Sequence, residues 1–217
     1  MFLKKVKLEV LILLIALLNT NTYAYVDERG LAIVGNSHAY ITSMVVGIDS
    51  DDVGDPNDFQ YPHNAVGGGK LDVTDENNEK IYHFIDVADK YDKAVIYLGT
   101  NELNFSATVF YERYVDYINK ILEKNPDIKI ILISVPYKNE MNLKEERIKE
   151  WNDIIEYIAA LYENVYMYHI EESDEELLDV VHLTYDSYKK ILDKAVNSIP
   201  SAVINRKPEI IVGPGVE

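Results

Sequence analysis

The sequence contains no cysteine in its 217 residues. That excludes a disulfide framework and lipid attachment through a cysteine, so a buried core must supply the stability. Basic residues are also scarce, 21 Lys and Arg against 37 Asp and Glu, for a formal net charge of −16. A surface of that sign repels phosphate backbones, and no nucleic-acid partner is expected. Repeats of 20–50 residues are missing, which argues against a solenoid. Long apolar runs are missing too. The longest, Leu8 to Leu18, is interrupted by Glu9 and falls short of the roughly 20 residues that a membrane-spanning helix needs.

Metal ligands in a recognised pattern are likewise absent. The stretch DSDDVGDPND, Asp49 to Asp58, has carboxylates and a glycine at loop spacing. Val53 stands at a ligand position, however, and Gln60 where a bidentate glutamate belongs, so the calcium-loop pattern fails. The stretch reads as a solvated acidic loop. No metal and no cofactor are expected.

What is present begins with a leader. Met1 to Lys7 carries three lysines, an apolar stretch follows, and the polar NTNTYA places Thr22 and Ala24 as the small residues of a cleavage site. That order describes a secretory signal peptide over residues 1–24, with an uncleaved anchor as the alternative. Loss of Lys4, Lys5, Lys7 and Glu9 removes three positive charges and one negative one, taking the side-chain charge from −16 to −18. The expected location is outside the cytoplasm, secreted or at the cell surface, with no integral span once the leader is gone. Residues 25–200 read as one domain, and residues 201–217 as an extension of unassigned use.

Within the domain, strand-like and helix-like stretches alternate. Leu31–Val34, Lys93–Leu98, Ile128–Val135 and Val165–His169 are short apolar runs suited to a parallel sheet covered on both faces. Val109–Glu123, Leu143–Leu161 and Tyr185–Ile199 repeat apolar residues at helical spacing, the last ending before Pro200. The pattern predicts right-handed βαβ units in a three-layer α/β/α sandwich with a mainly parallel central sheet. Ligands of such sheets bind beyond the carboxyl ends of the strands, so residues just after each strand are the ones to inspect.

Those places carry Gly35-Asn36-Ser37-His38, then Asn64-Ala65-Val66-Gly67-Gly68-Gly69, then Gly99-Thr100-Asn101-Glu102, and finally Asp179-Val180-Val181-His182 before the last helix. A serine, a glycine-rich turn, an asparagine, and an aspartate three residues before a histidine are candidates for each part of an acyl-transfer site. In order and placement these blocks resemble the SGNH hydrolases, also called GDSL esterases and lipases, from about Leu31 to Ile199. The resemblance implies a flavodoxin-like sandwich and a carboxylic ester hydrolase. It also implies Ser37 as nucleophile, Asp179 and His182 as the rest of a triad, and an oxyanion hole from Ser37, Gly68 and Asn101, with Gly69 the nearest rival to Gly68. Two departures stand out: Asn36 replaces the family's usual aspartate, and GTNE replaces GTND. Neither position is expected to carry a proton in the chemical step, and Asn36 lacks the charge to brace the first loop. Ser187 stands where a glycine is common.

The residues support the same roles chemically. Imidazole titrates near pH 6.5 and is a natural acceptor for the serine proton, and the aspartate fixes its tautomer. Plainer readings exist for each. Ser37 suits a helix cap, Gly67 a flexible turn, and Asn101 a cap; His38 is a rival base by adjacency. His63, His83 and His169 read as structural. Tyr40, Tyr61 and Tyr137 lie near strand ends, where aromatics stack on sugars or fill core edges. The resemblance covers lipases, acetylesterases acting on polysaccharides, thioesterases and some acyltransferases; for an exported single domain with no long lid insertion, a small-acyl ester, such as an acetyl group on a polysaccharide, is the preferred substrate. The alternatives are a lipolytic esterase of the same mechanism and a non-catalytic carbohydrate-binding module.

Overall fold

The structure, a computed structural model, describes residues 30–46, 64–137 and 145–199. The leader at 1–24, the acidic loop at 49–58, Tyr61, His63, Pro200 and the extension at 201–217 lie outside the described residues.

Four strands among the described residues form one sheet: β1 (Leu31–Gly35), β2 (Lys93–Tyr97), β3 (Lys129–Ile133) and β4 (Val165–Tyr168). All pairs are parallel, in the order β1-β2-β3-β4. Among the described residues five α-helices accompany them: α1 (Ser37–Val46), α2 (Glu79–Val87), α3 (Ala107–Lys124), α4 (Glu145–Ala160) and α5 (Tyr185–Asn197). Strand side chains alternate between faces. Leu31, Ile33, Val95, Ile131 and Ile133 join Tyr188, Ile191 and Ala195 of α5 in one core. Ala32, Val34, Ile96, Ile130 and Leu132 join α2, α3 and α4 in the other. With apolar side chains demanded on both faces, the strands read as unbroken apolar runs. Each fully buried aliphatic side chain contributes roughly 1.5–3 kcal/mol, which is how a chain without disulfides holds together.

Strand boundaries differ from expectation by one or two residues: Leu98, Ile128 and Val135 stay apolar and buried beyond the ladder, exposed His169 falls outside β4, and β1 runs on through Gly35. Val135, for example, is buried, but its backbone is satisfied by the Asn152 side chain, at 2.7 Å to the N–H and 3.0 Å to the carbonyl. Helix α3 starts earlier than expected because Ser106 caps it, its hydroxyl accepting from the Val109 N–H at 3.2 Å. Helix α5 ends at Asn197, two residues before the expected boundary, with Ser198 as its cap. Helix α2 was not anticipated. Its buried residues Ile81, Phe84 and Val87 have helical spacing, but the segment is short and begins inside the polar cluster DENNEK.

One detail places the site. Gly35 pairs with Tyr97 of β2 on one side and forms a single parallel bridge with Ala65 on the other. The chain therefore leaves β1 toward one edge and returns to β2 on the opposite edge. That makes the end of β1 a topological switch point, where open parallel sheets form their ligand crevice. Gly35 is required there. A Cβ at its φ of +136° would lie 2.1 Å from the Tyr97 carbonyl oxygen, too close for any other residue.

Candidate active site

Ser37 is the first residue of α1. Its predecessor, not Ser37 itself, caps that helix: the Asn36 side-chain oxygen accepts from the His38 N–H at 3.0 Å, and the Asn36 carbonyl accepts from Tyr40 N–H at 3.0 Å. The reading of Ser37 as a cap is thus corrected. The missing charge at Asn36 costs no hydrogen bond, since a neutral amide caps as well as a carboxylate. Relieved of capping, the Ser37 hydroxyl lies 2.9 Å from His182 Nε2.

His182 follows an Asx-type loop. One Asp179 carboxylate oxygen accepts from the backbone N–H groups of Val181 and His182, both at 2.9 Å. The same carboxylate meets the imidazole Nδ1 at 2.8 and 3.1 Å. An ionised carboxylate only accepts, so Nδ1 carries the proton and Nε2 is left to accept from Ser37. The N–H of Val181, then that of His182, then the ring hold the Asp179 carboxyl well below the usual carboxylate range. A bridge between Leu177 and Leu183 and a 2.8 Å bond from Leu178 N–H to the His182 carbonyl close the loop. Thr184 then caps α5 by accepting from Ser187 N–H. Ser187, the residue where a glycine is common, fits here as a partner: its hydroxyl oxygen accepts from Glu176 N–H at 3.3 Å.

His38 does not face the Ser37 hydroxyl as a rival base. Its Nδ1 lies 2.6 Å from the Tyr188 hydroxyl, which also accepts from Leu183 N–H at 3.2 Å. Burial, and then the neighbouring His182 ring 5.6 Å away, push the His38 imidazole down to about 3. It stays neutral and braces the loop behind His182. His83 and His169 lie at the surface, 3.9 Å from Asp86 and 3.8 Å from Glu156.

The glycine turn and the asparagine are tied together. Gly69 N–H donates to the Val66 carbonyl at 3.0 Å, closing a four-residue turn whose third residue, Gly68, has φ +74°. A positive angle at that position marks a type II turn. The Gly69 N–H is consumed by this turn, whereas the Gly68 N–H makes no hydrogen bond among the described residues. The geometry thus favours Gly68 over Gly69 as a free donor. Asn101 Nδ2 donates to the Gly69 carbonyl at 2.8 Å, leaving its second N–H available. Gly35 N–H donates to the Asn64 carbonyl and Val66 N–H to that of Gly35, so three of the four blocks are joined by backbone or amide bonds, and the fourth reaches Ser37 through His182.

Two contributors were not singled out from the sequence. Tyr188 looks like one more apolar position of α5. Glu102 was treated as a tolerated departure, yet it is fully buried and holds two backbone N–H groups. A surface groove of about 560 Å³ between α3 and α4, lined by Tyr111, Ile154 and Tyr157, contains none of these residues. Among the described residues no helix is long and apolar enough to cross a membrane.

No family model matches the chain, and no curated protein matches it either. Solved structures do. A carbohydrate esterase family 3 protein from Talaromyces cellulolyticus aligns at 18% identity and TM-score 0.55, over 76% of this chain and 93% of that one. The family 3 carbohydrate esterase of Clostridium thermocellum aligns at 15% identity and TM-score 0.50, over 77% and 94%. A Streptococcus pneumonia protein whose name refers to platelet activating factor aligns at 17% identity and TM-score 0.55, over 80% and 86%. At such identities the likeness is one of fold. It is an α/β fold with a parallel sheet between helical layers, the architecture that the sequence resemblance implies.

Proposed function

We propose that the chain is an exported SGNH-type serine ester hydrolase that removes small acyl groups, acetyl above all, from carbohydrate. The observation that carries this reading is the 2.9 Å contact between Ser37 and His182, residues 145 apart in sequence, with Asp179 behind the imidazole. In the proposed mechanism the Ser37 oxygen attacks the ester carbonyl carbon as Nε2 of His182 takes its proton. Asp179 stabilises the imidazolium. The N–H groups of Ser37 and Gly68 and the Asn101 amide receive the negative oxygen. Collapse expels the alcohol, which takes the proton from His182, and water then cleaves the acyl-serine by the same steps. Carbohydrate as the acyl carrier is supported by the names of the Talaromyces and Clostridium neighbours, a fold-level analogy.

A lipolytic esterase is the second reading, favoured by one observation: Leu178 and Val180, on either side of Asp179, are about half exposed. The test is a nitrophenyl ester series from acetate to decanoate alongside acetylated xylan and peptidoglycan. Highest kcat/KM on acetate, with acetate released from a polysaccharide, supports the first reading; a rise with chain length replaces it by the second. Glycan binding that survives Ser37→Ala in a chain without esterase activity would instead make it a binding module.

A further inference from the structure

The carboxylate of Glu102 has no part in the proton transfers described above, yet it is completely buried. One oxygen accepts from Leu71 N–H at 2.8 Å and the other from Gly99 N–H at 2.9 Å. These donors belong to different segments. Leu71 lies two residues beyond the turn that carries Gly68; Gly99 is the first residue of the turn that carries Asn101. Asn101 makes a second link between the same segments through the Gly69 carbonyl. Arg113 makes a third contact with this segment, Nη1 donating to the Leu71 carbonyl at 2.8 Å.

We propose that Glu102 is a positioning residue for the oxyanion hole, bridging Leu71 and Gly99 so that the Gly68 N–H and the Asn101 amide are held at a fixed separation. The proposal rests on the esterase reading for its functional meaning, but not for its geometry. Buried carboxylates are tolerated only where donors compensate them, and charge-assisted bonds of this kind are short and directional. Desolvation pushes the Glu102 carboxyl up to about 7, with the N–H groups of Leu71 and Gly99 pulling the other way. The extra methylene of glutamate over aspartate matters here. The two oxygens meet donors on two separate segments of chain, and an aspartate would start one methylene shorter.

The test is Glu102→Gln, which keeps the volume but turns an amide NH2 toward one of the two backbone donors. A 10–100-fold fall in kcat on nitrophenyl acetate, with KM within twofold, is expected, because the hole acts on the transition state more than on bound substrate. The Asn101 side-chain amide resonance should move as well in ¹H–¹⁵N spectra, a readout that needs no turnover. A kcat within twofold of wild type, a matching change in KM, or an unmoved Asn101 resonance overturns the proposal. If the parent chain hydrolyses no ester, the esterase reading fails and the resonance alone decides the positioning role. If Glu102→Gln gives no dispersed spectrum, Glu102→Asp is read by the same criteria.

Discussion

The two sides of the serine are built differently. On the base side, Asp179 and His182 are three residues apart, their side chains 49% and 24% exposed, and the loop is held by its own backbone. On the oxyanion side, Gly68, Gly69, Leu71, Gly99 and Asn101 are joined by contacts spanning about thirty residues of chain, with buried Glu102 between them. Geometry on the base side is a local property of a short peptide. Geometry on the oxyanion side depends on the whole sheet being assembled. Under the proposed mechanism, a donor network that must be ready before charge develops is best placed where it cannot relax, while an imidazole that would take and return a proton each cycle tolerates a wetter setting.

Kinetics can break this comparison. The largest effects are expected for Ser37→Ala and His182→Ala, each lowering nitrophenyl acetate turnover by about 10⁴ or more; a loss under tenfold in either removes that residue from the triad. Asp179→Asn should cost about 10²–10⁴, since an amide does not enforce the reactive tautomer. Asn101→Ala should cost about 10²–10³ in kcat with little change in KM, placing the oxyanion side just below the base side. Tyr188→Phe should lower turnover less than about tenfold and stability by about 1–2 kcal/mol, through the unpaired Leu183 N–H and His38 ring, as read by urea unfolding.

The smallest effects are in the response to pH. With Asp179 ionised throughout, activity should fall along a single limb on acidification, because a protonated imidazole cannot accept the serine proton; a flat profile from pH 4 to 8 rules out histidine as base. Stability is expected to feel His38 and Glu102 in opposite directions. The folded value of His38 lies below the ordinary one, so its contribution is complete above about pH 6.5 and is lost as the pH falls toward 3. Glu102 lies above its ordinary value, so its contribution is complete below about pH 4.5 and is lost as the pH rises through 7. Thermal melts should be nearly level between those limits, and should climb with acidification in His38→Gln.

What was legible in the sequence follows the same division. GNSH and DVVH are short blocks held by local bonds, Asn36 to His38 and Asp179 to His182, and periodicity set one after the first strand and the other before the last helix. The strands were legible because burial on both faces demands unbroken apolar runs. Glu102 was not, because a glutamate beside a turn looks solvated until the distant Leu71 N–H is brought to it. Tyr188 was hidden for a similar reason: a helical apolar pattern says that the ring is buried, not that its hydroxyl meets His38. Helix α2 was too short to stand out from its polar lead-in.

The cap of α1 carries a last consequence. An aspartate at position 36 would set a full negative charge against the positive pole of that helix, next to the N–H of Ser37. The amide of Asn36 ties off the same turn without that charge. Electron density pushed onto an oxygen beside Ser37 would therefore meet the helix field undiminished. Asn36 in place of an aspartate leaves the attraction of that helix end for an anion uncancelled.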